Sequence, residues 1–267
     1  MALMAYILVI AVCMLASVWG PVCGIGGGVI IKPAIDALGV MTVAQASFLS
    51  SMSVLTMALA TLAQNVMAHT STVNVRALAP LALGSAVGGV AGKILFGLLE
   101  RAWDASELIG AVQACVLIGL SAVVFAYTLG RARMRSLTVR SGWASAVIGC
   151  IAGACWSFLG IGGGPFNLAI LGFFFSMESK PAAQASLFII ACSQLAGLAY
   201  SLMVSAVPDV APSLLLGGCV AACAGSVIGR RAASRMDSAM VNRLYLWALA
   251  AIICISLYNA VRFIGLI

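Results

Sequence analysis

Apolar runs long enough to cross a bilayer recur along the chain, separated by short polar or glycine-rich breaks. Runs of this length form transmembrane helices, whereas the strands of a membrane barrel would alternate with period two. The pattern predicts helices over 3–19, 27–38, 42–68, 76–99, 104–129, 142–159, 165–176, 181–205, 211–233 and 241–265. Two of these, 27–38 and 165–176, are too short to span and follow directly on glycine clusters. That arrangement suits a discontinuous or re-entrant helix meeting another inside the membrane. With helices filling all 267 residues, there is no room for a separate soluble domain.

The run of helices is duplicated. Gly24-Ile25-Gly26-Gly27-Gly28 returns as Gly160-Ile161-Gly162-Gly163-Gly164, 136 residues later. Ala44-Gln45-Ala46-Ser47 returns as Ala183-Gln184-Ala185-Ser186 after 139. Gly88, Gly92 and Lys93 return as Gly225, Gly229 and Arg230 after 137. Three collinear matches at nearly one offset mark two homologous halves. The expected fold class is an all-α integral membrane protein of two inverted halves, each a glycine-broken helical hairpin plus three transmembrane helices. Residues 1–130 form the first transmembrane repeat, 131–140 a basic cytoplasmic linker and 141–267 the second repeat. No basic residue precedes the first apolar run, so 3–19 reads as part of the repeat and not as a cleaved leader.

Composition strengthens the membrane reading and charge orients it. Charged residues are 8% of the chain and apolar ones 63%, against roughly 25% charged in a soluble domain. Fourteen Lys and Arg face seven Asp and Glu, a net +7. This excess fits topology better than nucleic acid. If each glycine-broken hairpin returns to its starting side, Arg76, Arg131, Arg133, Arg135, Arg140, Lys180, Arg230, Arg231, Arg235 and Arg243 share one side. Lys32, Lys93, Arg101 and Arg262 take the other. Ten against four is the bias the positive-inside rule expects of a cytoplasmic face, and it makes the halves inverted. Trp103, Trp143 and Trp247 lie near span ends and read as interface anchors.

Candidate chemistry centres on the glycine clusters. A glycine turn opening a half-helix aims unpaired N–H groups and the positive dipole end at one point, an anion site without a side chain. Broken helices at matching places in two repeats point to a transporter's substrate site. Candidate substrate-binding residues are therefore Gly26, Gly27, Gly28, Gly162, Gly163 and Gly164. The polar starts of the following helices add Gln45, Ser47, Ser50, Gln184 and Ser186. Lys32, four residues past the first cluster, either meets an anion or snorkels to the interface; Asn167 is the nearest polar residue to its apolar counterpart Leu168. Gly88/Gly92 and Gly225/Gly229 read as close helix packing. The nine cysteines lie in apolar runs without a C-x-x-C pair and read as packing, with Cys23 beside a glycine cluster the one to test. His69 is the only histidine, which rules out a multi-histidine metal site. Asp36, Glu100, Asp104, Glu107, Glu178, Asp209 and Asp237 are placed at ends or loops, so neither an intramembrane protease nor a carboxylate-coupled metal transporter fits. No catalytic residue, resident metal or cofactor is expected.

Gly24-Ile25-Gly26-Gly27-Gly28-Val29-Ile30-Ile31-Lys32-Pro33 resembles the glycine motif of the TauE/SafE family of sulfite and organosulfonate permeases. The proline five residues after the run, the Ala-Gln-Ala-Ser helix starts, the duplication and the length resemble that family over essentially the whole chain. The second motif departs from it, with Pro165 directly after Gly164 and Ala169 where a matching proline would stand. The resemblance implies a multi-pass protein of the bacterial inner membrane that moves a small sulfur-containing anion, in the family's usual direction outward. It implies that Gly26–Gly28 and Gly162–Gly164 line the permeation site, with Gln45 and Gln184 nearby. The partners expected are the small anion and the lipid bilayer, with a coupling ion and a homo-oligomer left open and no nucleic acid. A channel-like anion pore is the alternative, and a membrane sulfur-relay or enzyme subunit a weaker one.

Overall fold

In the computed structural model every apolar run is helical, and the helices stop where local chemistry stops them. Residues 2–102, 106–131, 136–204 and 207–265 are described, and among them lie ten helices and no strand. They are α1 (Ala2–Cys23), α2 (Gly28–Leu38), α3 (Val43–Met67), α4 (Val75–Ala102) and α5 (Ser106–Gly130), then α6 (Gly142–Leu159), α7 (Gly164–Phe174), α8 (Ser179–Met203), α9 (Pro212–Ser234) and α10 (Ser238–Ile264). Trp103, Asp104, Arg133 and Arg135 fall outside the described residues. Thr42 caps α3 in a reciprocal box with Gln45, while Ser141 and Asp237 cap α6 and α10, each supplying an acceptor to an otherwise orphaned helical N–H. Helix α1 runs four residues further than the apolar pattern predicts. Gly20 allows this without a clash, because Met57 of α3 occupies the place its Cβ would take.

Eight helices are long and apolar enough to cross a membrane. The other two, α2 and α7, have 11 residues each, so each is about 16 Å long, half the hydrocarbon thickness. Leu15, Leu83, Val87, Val123, Ile151, Val220 and Val261 are exposed on the perimeter, where only lipid tails would cover such a continuous apolar surface. The chain is a multi-pass membrane protein.

The helices interlock across the two halves. Helix α4 packs along α6, and α1 along α9. Under the duplication α1 corresponds to α6 and α4 to α9, so this is one contact made twice. The glycine stripes make it close, as the spacing predicts. Cβ atoms on Gly84, Gly88 and Gly92 would overlap the carbonyls of Ala146, Cys150 and Ala154, and those on Gly225 and Gly229 would meet the carbonyls of Met14 and Val18. Helices α3 and α8 pair, as do α5 and α10, while α2 lies on α3 and α10 and α7 on α8 and α5.

Hydrogen bonds sort the connections into two ends. Gln45 Nε2 donates to Asp209 O at 2.6 Å, and Arg262 Nη1 to Asp36 O at 2.6 Å. One end thus gathers the α2–α3 turn, the α8–α9 loop and the end of α10. Gln184 accepts from Thr72 N at 2.9 Å, and Leu137 and Val139 donate from their amides to Phe173 O and Phe174 O. The other end gathers the α3–α4 loop, residues 136–139 and the end of α7.

Candidate functional site

The two glycine clusters meet in the middle of the bundle. Gly26 and Gly27 have φ of 74° and 65°, and Gly162 and Gly163 of 72° and 80°, a left-handed region that other residues enter at a cost of about 1–2 kcal/mol. Both turns are stitched alike, with Ile25 N donating to Gly20 O at 3.1 Å and Ile161 N to Trp156 O at 3.2 Å. They then press together. A Cβ on Gly164 would fall on the Ile25 carbonyl, and one on Gly28 on the Ile161 carbonyl. The following helices strap this crossing. Ser186 Oγ donates to Gly24 O at 2.9 Å with Gly164 O at 3.5 Å, and Ser50 Oγ donates to Gly28 O at 3.4 Å. Ser47 lies against Gly160, and its buried hydroxyl has no hydrogen-bond partner among the described residues.

The crossing is filled. Ile190 closes on Gly26, Met57 and the Ala16 carbonyl on Gly27, and Val54 with Gln194 on Gly162. The cavities lie to either side. Toward the end that carries Thr70 is one of about 300 Å³, lined among others by Pro21, Thr61, Asn65, Lys180, Gln184 and Arg230. Toward the opposite end is one of about 80 Å³, lined among others by Ala44, Ser47, Lys93, Glu100, Ser157 and Tyr200. The duplication relates the two: Ala183 of the larger matches Ala44 of the smaller, and Arg230 matches Lys93. In the larger cavity Arg230 Nε donates to Asn65 Oδ1 at 2.8 Å and Nη2 to Thr70 Oγ1 at 3.4 Å. No carboxylate among the described residues lies within ion-pair distance of it. A half-buried guanidinium held by neutral groups keeps its positive potential for an incoming anion.

Of the remaining candidates, Gln45 and Gln184 lie toward the two ends of the bundle, while Asn167 and Lys32 flank the crossing with their polar ends engaged elsewhere. Gln45 Oε1 accepts from Thr42 N at 3.0 Å while its amide ties α3 to the α8–α9 loop. Gln184 does the same for α8 and the α3–α4 loop, its Nε2 donating to Thr70 O at 3.2 Å, but it also lines the larger cavity. Asn167 Oδ1 accepts from Trp156 Nε1 at 2.9 Å, and that indole stacks on Phe166 with centroids 4.5 Å apart. Lys32 neither snorkels nor stands free: Nζ donates to Asp36 Oδ2 at 2.6 Å, both side chains buried. Asp36 lies in the last turn of α2, at a helix end as expected, but inside the fold, because α10 covers α2 and Arg262 seals the carbonyls beside it. Cys23 Sγ is buried 4.0 Å from Val241 O. No cluster of three or more His, Cys, Asp or Glu occurs among the described residues. Along the sequence Arg230 and Lys93 mark only topology and helix packing. Their matched positions in the repeat were the available signal, since only the interlocked packing turns those places toward cavities.

A family model described as sulfite exporter TauE/SafE matches residues 9–256. No curated protein and no solved structure matches the chain.

Proposed function

The chain belongs to the TauE/SafE sulfite exporter family, and on that premise we propose that it exports a small sulfur oxyanion or organosulfonate by alternating access around the glycine crossing. The pair of related cavities carries the reading. They lie on opposite sides of one filled crossing and differ in size, about 300 Å³ against 80 Å³. That is the asymmetry of a transporter open to one side. The larger cavity is the loading vestibule, where Arg230 and Lys180 draw in the anion and Thr61, Asn65 and Gln184 surround it. The glycine half-helices are the gate. Their amides and positive dipole ends meet the anion once the two turns part, with Ser50 and Ser186 freed from backbone and the unpartnered Ser47 to assist. The smaller cavity around Lys93 widens as the first closes.

The two halves are inverted in this reading. The paired packing of α1 on α9 and of α4 on α6 supports it, as do the opposite ends reached by α2 and α7. The end carrying Arg76, Arg140, Lys180, Arg230 and Arg235 is then cytoplasmic, so the larger vestibule faces the cell interior, as loading for the family's export direction requires. A bacterial inner membrane is consistent with this placement.

Sulfite accumulation in inside-out vesicles containing the purified chain tests the assignment. Arg230→Gln removes a charge-assisted contact of about 1.5–3 kcal/mol, which corresponds to a loss of roughly tenfold or more in anion affinity. Accumulation with unchanged half-saturation in Arg230→Gln and Lys180→Gln would refute the vestibule, and flux that fails to saturate would refute alternating access in favour of a pore.

A further inference from the structure

A second polar site lies between α2, α5 and α10, apart from both vestibules. A cavity of about 10 Å³ there is lined by Lys32, Asp36, Gln113, Ser256 and Asn259, with Leu159 and Ile161 of the second glycine turn closing one side. Its polar side chains are nearly completely buried: Gln113 is 3% exposed, Asn259 2% and Ser256 0%. Four of their atoms have no hydrogen-bond partner among the described residues: Asp36 Oδ1, Gln113 Oε1, Asn259 Oδ1 and Ser256 Oγ. The two amides cannot flip to offer donors. Gln113 Nε2 already donates to Phe158 O at 2.6 Å, and Asn259 Nδ2 to Pro33 O at 2.8 Å. A carboxylate, two amide carbonyls and a hydroxyl therefore share one small space with the Lys32 ammonium, which is engaged by Asp36.

We propose that these four oxygens form a site for a monovalent cation of sodium size, in which Lys32 acts as the built-in competitor. Hard oxygen donors select hard cations. A single carboxylate, half engaged by Lys32, suits one positive charge, whereas divalent cations gather several carboxylates or retain waters. Four oxygens are fewer than a large ion such as potassium ordinarily gathers, which favours sodium in a space that admits about one water-sized body. Three of these oxygens carry no proton of their own, and leaving them unmatched would be costly in a membrane protein, because no lipid group can satisfy them.

The ammonium of Lys32 shares Asp36 with the arriving cation and is loosened by it. Its Cδ lies 3.2 Å from where a Cβ on Gly160 would stand, so a loosened Lys32 has its stem already beside the glycine crossing. Cation binding would release a positive charge toward the anion gate, a link between cation and anion that rests on the transport reading; the cation site itself does not. In the second half the counterparts of Lys32 and Asp36, at the 136-residue offset, are Leu168 and Gly172. One such site is therefore built per chain.

The test is the thermal stability of the purified full chain in detergent, without any sulfur anion, in NaCl, KCl and choline chloride at matched ionic strength. The expected result is a saturable rise with NaCl, a smaller one with KCl and none with choline. Ser256→Ala, which breaks no existing hydrogen bond, should raise the half-saturating sodium concentration by about tenfold, and Lys32→Met should lower it. The double variant Lys32→Met/Asp36→Asn removes both buried charges together and should fold but lose the response. Equal stability in sodium and choline overturns the proposal. So does a sodium response that survives in the double variant with unchanged midpoint, or a response to pH that is the same in both salts. Loss of sodium binding leaves the Arg230 result intact, and the reverse also holds.

Discussion

Adding one methyl group at the glycine crossing separates packing from conformational strain. At Gly97, inside α4, nothing lies within 4 Å of a new Cβ, so Gly97→Ala gains only helix propensity and should stabilise by about 0.5–1 kcal/mol. At Gly26 the backbone has φ of 74° and the new Cβ would lie 2.8 Å from Ile190 Cδ1, the movable tip of a side chain. Gly26→Ala then carries mainly the left-handed penalty, about 1–2 kcal/mol. At Gly164 the Cβ would fall on the carbonyl of Ile25, which is backbone and not the movable tip of a side chain. The two broken helices must separate as backbones. Overpacking ordinarily costs about 1–3 kcal/mol, and a backbone overlap places Gly164→Ala at or above the top of that range. Membrane proteins often unfold irreversibly, so the assay compares half-inactivation temperatures of detergent-purified variants at one heating rate. The expected order is Gly97→Ala above wild type, then Gly26→Ala, then Gly164→Ala. If Gly164→Ala proves as stable as Gly97→Ala, the crossing is not the close backbone contact described above.

Tyr245→Phe removes the hydroxyl that donates to Pro165 O at 2.6 Å in a buried position. It should destabilise by about 0.5–1.5 kcal/mol in the same heating assay, through loss of one buried hydrogen bond to a first-turn carbonyl that α7 itself can still engage; a silent variant would show the bond to be dispensable. Thr42→Ala deletes the capping box of α3 and should lower stability by about 1 kcal/mol, while Thr42→Ser should restore most of it. Topology reporters fused near Arg140 and near Arg235 should both read cytoplasmic, and opposite readings would exclude inverted halves.

Much of the architecture was legible because it is local. The 20-residue apolar scale of a membrane span and the turn chemistry of glycine and proline act over neighbouring residues, so helix limits emerge to within a few positions. Helix α1 is the largest exception. It continues through Gly20 and Pro21 because Met57 of another helix fills the space above Gly20, and no one-dimensional pattern carries that contact. The candidate site was less legible. Both glycine clusters were found and do meet, yet Gln45 sits in a cap at the bundle end, and Asn167 braces an indole.

The amino-acid sequence by itself determined the membrane class, the ten helical segments, the duplication, the family likeness and the two breaks. These depend on composition, periodicity and repetition along the chain. Only the tertiary structure decided which polar groups meet. The spacing of Lys32 and Asp36 permits an ion pair on one turn of α2, but α10 and Arg262 bury it. Arg230 and Lys93 occupy matched places in the repeat, but interlocking of α1 with α9 and of α4 with α6 turns them toward cavities of unequal size. The physical reason is that inter-helical contacts depend on the rotation of each helix about its axis and on how near two backbones can come. At Gly164 and Ile25 that nearness is set by the absence of a single methyl group.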